Sequence, residues 1–180
     1  VPKREAQRLL GCSGSQFAQV SSEVVKCGYV HEYRNMSKSR HPKYLMLVDP
    51  FILFHYCLIN PPSGEAPQRW SDFAANQGRY HAWRGSAFEV VCLYHVRQLK
   101  AALGIGGVAT KEYPWASERR EGGAQVDLVI ERADKVVDLC EMKFTDGPLE
   151  LSRAVEQELA RKRDVFREET GTRMAVKTVL

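Results

Sequence analysis

Gln125-Val126-Asp127-Leu128-Val129-Ile130-Glu131-Arg132, then Ala133-Asp134-Lys135, then Val136-Val137-Asp138-Leu139-Cys140-Glu141-Met142-Lys143-Phe144-Thr145 is the stretch on which the fold turns. Its alternation predicts two strands, Ala124 to Arg132 and Lys135 to Thr145, joined by a short turn. Successive side chains in a strand point to opposite faces. Val126, Leu128 and Ile130 should therefore share one face, and Gln125, Asp127 and Glu131 the other, with Val129. On the return strand Cys140, Met142 and Phe144 fall on the even face, and Glu141, Lys143 and Thr145 on the odd. A turn centred on Asp134 sets Asp127 directly opposite Glu141.

Outward from this hairpin, Arg84 to Leu103 has helical periodicity and Gly107 to Trp115 reads as a strand. Leu149 to Glu169 is a charged amphipathic helix, and Thr172 to Leu180 a final strand. The order is α-β-β-β-α-β, an α/β (α+β) core with a mixed four-stranded sheet. Gly104-Ile105-Gly106-Gly107 reads as a helix stop and turn.

Two carboxylates at cross-strand distance repel one another unless something positive lies between them. A divalent cation suits that place. Mg²⁺, or Mn²⁺ in its stead, takes a few carboxylates, several waters and a substrate phosphate. Lys143 shares the face of Glu141 and would bring its ammonium to a metal-bound water or a phosphate. Glu89 lies on the same helical stripe as Leu93, Val96, Leu99 and Leu103, so its carboxylate should point inward, where it requires a partner. The plainer alternative for Asp127, Glu141 and Lys143 is a solvated polar sheet face carrying a Glu–Lys pair. Gln125 and Gln157 are candidates for substrate or nucleic-acid backbone contact, beside ordinary surface roles. Arg153, Arg161, Lys162, Arg163 and Arg167 stand among as many acids and read as ion-paired and solvent-exposed.

The first third reads as a helix over Lys3 to Leu10, a helix over Gly14 to Lys26 capped by Ser13 and stopped by Gly28, and a hairpin from Tyr29-Val30 to the return at Lys43 to Val48. Helix, helix, hairpin is the order of a winged helix-turn-helix whose first helix is incomplete or missing. The hairpin tip is basic. Arg34, Lys38, Arg40 and Lys43 would contact DNA if it is a wing, and are solvated loop residues otherwise. Gln16, Gln19 and Lys26 on the preceding helix could reach bases or phosphates. Asp49-Pro50 is a helix start, and Phe51 to Ile59, apolar on all sides, should be buried. The expected divisions are 1–60, a winged-helix-like unit with this trailing helix; 61–78, a linker rich in proline with a short helix near Trp70; and 79–180, the α-β-β-β-α-β domain.

Composition excludes several classes. The apolar residues, 44% of the chain, form no span of membrane length, and a net charge of +4 permits nucleic acid without demanding it. Five widely spaced cysteines with no CxxC pair read as free thiols in a reducing cytoplasm. The five histidines show no H-E-x-x-H, there is no G-x-S-x-G, and no G-x-x-x-x-G-K-[ST] for ATP. Trp70, Trp83 and Trp115 read as structural anchors. The opening Val1-Pro2-Lys3-Arg4 lacks both Met and a signal core, as in a fragment of a longer protein.

Asp127, then Glu141-Met142-Lys143 after a hairpin, with Glu89 on a preceding helix, resembles the PD-(D/E)XK nuclease superfamily. Arg84-Gly85-Ser86-Ala87-Phe88-Glu89, Gln125-Val126-Asp127-Leu128-Val129 and Leu139-Cys140-Glu141-Met142-Lys143-Phe144 look like a narrower group, prokaryotic and archaeal AAA-type ATPases with a nuclease-like domain at the C-terminus. The hairpin running into Tyr44-Leu45-Met46-Leu47-Val48-Asp49-Pro50-Phe51 fits that group too. The resemblance implies a restriction-endonuclease-like core in which Asp127 and Glu141 bind Mg²⁺ or Mn²⁺, Glu89 assists and Lys143 is catalytic. DNA and an ATPase module of the same full-length protein are the implied partners. The competing expectation is a module without activity that binds DNA or protein and regulates that ATPase.

Overall fold

A computed structural model describes residues 1–34, 36, 43–61, 64, 69–119 and 121–180. By its internal contacts the chain divides into two compact units, Val1–Glu32 with Tyr44–Tyr94, and Tyr33–Lys43 with His95–Leu180. The architecture is mixed α/β, with seven α-helices, a two-stranded hairpin and a mixed four-stranded sheet among the described residues. Among them no helix is long and apolar enough to cross a membrane.

The first unit starts with α1 (Lys3–Leu10) and α2 (Gly14–Lys26). Ser13 and Gln16 close a reciprocal capping box at the start of α2, and Gly28 beyond its end takes a left-handed φ of 78°. Strands β1 (Val30–Arg34) and β2 (Lys43–Leu47) pair as the hairpin. Lys38 and Arg40, with residues 62–63 and 65–68 of the expected 61–78 linker, lie outside the described residues. Asp49 caps α3 (Pro50–Phe54) by accepting from the Ile52 N–H at 2.7 Å, as its sequence predicts.

Burial of the next segment is a correction. The helix passes into a π-helical turn at His55–Ile59, and Phe51 is 68% exposed, Tyr56 51% and Ile59 52%. Its packing is one-sided: Phe54 meets Trp70 and Trp83 at ring-centroid distances of 6.3 and 6.1 Å, so the opposite apolar residues stay outside. Helices α4 (Trp70–Ala75) and α5 (Gln77–Tyr94) follow, and Asn76 starts α5 by accepting from the Arg79 N–H. The single helix expected over Arg84 to Leu103 is two, because the chain turns at His95 before α6 (Val96–Ala102). The stripe Glu89-Leu93-Val96-Leu99-Leu103 is therefore not continuous, and Leu103 is exposed.

In the second unit α6 is followed by β3 (Thr110–Ala116), β4 (Gln125–Arg132), β5 (Val136–Cys140), α7 (Arg153–Thr170) and β6 (Ala175–Val179). Sheet order is β3-β4-β5-β6, with β3, β4 and β5 antiparallel and β6 parallel to β5 across the α7 crossover. Trp115, Ala124, Val126, Val129, Val137 and Leu139 form its core with Val165 and Phe166 of α7. The Trp115 indole meets Phe166 edge-on at 5.1 Å and donates Nε1–H to the Met36 carbonyl at 2.9 Å.

The turn expected between β4 and β5 is found, with Glu131 paired to Val137 and Leu128 to Cys140. Lys135 closes it with φ 68°, a left-handed conformation costly for a residue with a Cβ. Arg132 braces it, donating to Asp134 and to buried Asp138. Lys135→Gly relieves the strain, less the entropy glycine loses on folding, and should stabilise the protein by about 1 kcal/mol in urea denaturation.

Strict alternation along β4 is overturned. Between Tyr113 and Trp115 the pairing with β4 shifts from Val129 to Val126, so two steps on β3 oppose three on β4. Pro114 sits at this point and has no N–H to give the ladder, which places a bulge there. Val126 and Val129, expected on opposite faces, thus join one core cluster.

Candidate active site

The bulge falls beside Asp127, and β5 ends at Cys140 rather than running to Thr145. The Glu141 N–H still donates to the Val179 carbonyl, at 2.9 Å. The next amide leaves the sheet: Met142 N–H donates to Asp127 Oδ2 at 2.8 Å. That bond ends the strand and clamps Asp127 to the Glu141-Met142-Lys143 segment, one step beyond the last Leu128 to Cys140 rung.

Glu141 is the centre of charge. Lys143 Nζ donates to its Oε1 at 2.7 Å and Lys162 Nζ to its Oε2 at 2.6 Å. The Glu141 side chain is 8% exposed, Lys162 14% and Lys143 49%, so one ammonium is enclosed and the other reaches solvent. Burial raises the Asp127 carboxyl pKa above the ordinary range, and the neighbouring Glu141 charge adds to this; the Met142 N–H and the two ammonium groups pull the other way. Burial pushes the adjacent Cys140 thiol up to about 12, so it packs as a small apolar group.

Asp127, Glu141 and Lys143 are thus brought together, as their spacing predicts. Lys162 is the member that sequence reasoning placed in solvent. Its signal was the i, i+3, i+7 spacing of Leu159, Lys162 and Phe166, which puts Lys162 on the inward stripe of α7. Its cationic neighbours do behave as expected: Arg161 pairs with Glu158 and Arg163 with Asp164.

Glu89 lies half-buried on α5 in the first unit, whereas the constellation above is built wholly within the second. Gln125 is exposed at the start of β4 and Gln157 is exposed on α7. Arg34 and Lys43 are exposed at the facing ends of β1 and β2. On α2 two polar side chains have local work, Gln16 in the capping box and Gln19 donating to Glu23 at 3.1 Å.

Among the described residues no group of three or more His, Cys, Asp and Glu is arranged to hold a metal ion. The pair Asp127 and Glu141 nevertheless supplies hard oxygen donors of the kind Mg²⁺ accepts, with water and phosphate completing its shell. No protein-family model, curated protein or solved structure matches the chain.

Proposed function

We propose that the second unit is a PD-(D/E)XK-type, restriction-endonuclease-like domain that hydrolyses DNA phosphodiesters with Mg²⁺ or Mn²⁺. The observation that carries the reading is the Met142 N–H to Asp127 bond, which fastens one acid beside the Glu141-x-Lys143 pair at the end of a mixed sheet. The order α6-β3-β4-β5-α7-β6 supports it.

Asp127 and Glu141 are the residues that would hold the cation, which when bound polarises a water and offsets phosphate charge. Lys143, the more exposed ammonium, would move from Glu141 to the attacking water or a phosphate oxygen as substrate enters. Gln125 and Gln157 would contact the nucleic-acid backbone. The N-terminal helices and hairpin would serve as a winged helix, with Arg34, Lys38, Arg40 and Lys43 on its wing, and an ATPase module of the same full-length protein would be the partner. A cytoplasmic location fits the five free thiols, of which Cys92 and Cys140 are buried.

One observation favours a second reading. Both oxygens of Glu141 already accept from lysine, the arrangement of a closed structural ion-pair cluster in a module without activity. Incubation with plasmid and with single-stranded DNA in Mg²⁺ or Mn²⁺ separates the two. Nuclease action predicts cleavage by the wild type that is lost in Glu141→Gln and Lys143→Ala, whereas intact DNA under every condition selects the inactive module.

A further inference from the structure

Glu141 and Lys162 form the most enclosed ion pair at the site, with side chains 8% and 14% exposed. A carboxylate so buried is costly without a counter-charge. Lys162 comes from α7 and Glu141 from the end of β5, so the bond ties the crossover helix to the sheet where Asp127 is clamped. The space beneath them, among Val126, Leu139 and Leu159, is about 10 Å³. That is room for about one water and far too little for a hydrated cation.

Asp127 and Glu141 carry two negative charges, and Lys143 and Lys162 two positive ones, so the cluster is neutral as it stands. A divalent cation ligated by Glu141 Oε2 competes with the Lys162 ammonium for that oxygen's electron pairs and is repelled by its charge. Lys143 is half exposed and can leave towards solvent or a phosphate, whereas Lys162 is enclosed and remains nearby as a competitor.

We propose that Lys162 is a positioning residue that acts as a built-in counter-ion for Glu141, occupying the coordinating oxygen in the metal-free protein and setting how tightly the site takes a divalent cation. The inference rests on the metal-binding reading above and adds a residue to it. Removing the Lys162 charge should tighten metal binding while weakening the metal-free fold. A merely structural lysine would do only the second.

The test is isothermal titration of Mn²⁺ into the metal-free chain, with melting temperature read with and without Mn²⁺. The variants are Lys162→Met, which keeps the stem, Lys162→Gln, which keeps a donor should the first not fold, and Asp127→Asn. Loss of one charge-assisted hydrogen bond predicts Mn²⁺ binding about tenfold tighter or more in the Lys162 variants. It also predicts a lower melting temperature without metal and a larger rise on adding it. Binding seen only in the Lys162 variants would likewise support the proposal. Equal or weaker binding in them, with wild-type binding abolished by Asp127→Asn, overturns the role of Lys162 and leaves the metal site standing. No binding by any variant, or binding indifferent to Asp127→Asn, overturns both.

Discussion

Asp127→Asn is expected to abolish metal-dependent DNA cleavage, with a loss on the order of 1,000-fold, the scale seen when a charge-stabilising group is removed from a reacting centre. The same change should raise the melting temperature of the metal-free protein by a few degrees. Burial and the Glu141 charge hold the Asp127 carboxyl above its ordinary range. A raised acid binds its proton more tightly in the folded than in the unfolded chain. The stabilisation from that proton is full below the unfolded pKa and is lost as pH rises to the raised folded value. Asparagine is neutral at every pH, so it escapes that loss, and it can still accept from the Met142 N–H. Thermal melts at pH 4 and pH 7 should show the advantage of Asn at the higher pH. Undiminished cleavage, or a variant less stable at pH 7, would count against the site.

Phe166→Ala should produce the largest loss of stability, about 3–5 kcal/mol in urea denaturation. The ring is fully buried, packs edge-on against Trp115 and joins α7 to the sheet core. Its removal empties a site walled by β-branched residues that cannot collapse into it, and forfeits the aromatic contact as well. Cleavage should fall in step with the fraction unfolded, because Lys162 is one turn away on the same helix. A cost below about 1 kcal/mol would mean that this core is not what holds the sheet and helix together.

The juxtaposition of Asp127 with Glu141 was legible because the three-residue turn at Ala133-Asp134-Lys135 sets a register, and register is insensitive to what happens elsewhere in the sheet. Helix ends were legible where a side chain marks them, as at Ser13 and Asp49. The β4 bulge was less so, since its cause, Pro114, is on the neighbouring strand. The turn at His95 carries no Gly or Pro, and apolar periodicity runs straight through it. The end of β5 is set by a bond from Met142 to a side chain fifteen residues away, which alternation cannot reveal. Lys162 was hidden by its neighbours: a helix with cations on every side reads as solvated until its buried stripe is traced through Leu159 and Phe166.

The claim on which the functional account rests is that Asp127 and Glu141 jointly ligate a divalent cation. A crystal soaked in Mn²⁺ and examined by anomalous scattering tests it most directly. One strong peak is expected at direct-bond distance, about 2 Å, from a carboxylate oxygen of each residue. A map in which Glu141 keeps both lysines and Asp127 its amide, with no peak between them at saturating Mn²⁺, would contradict it.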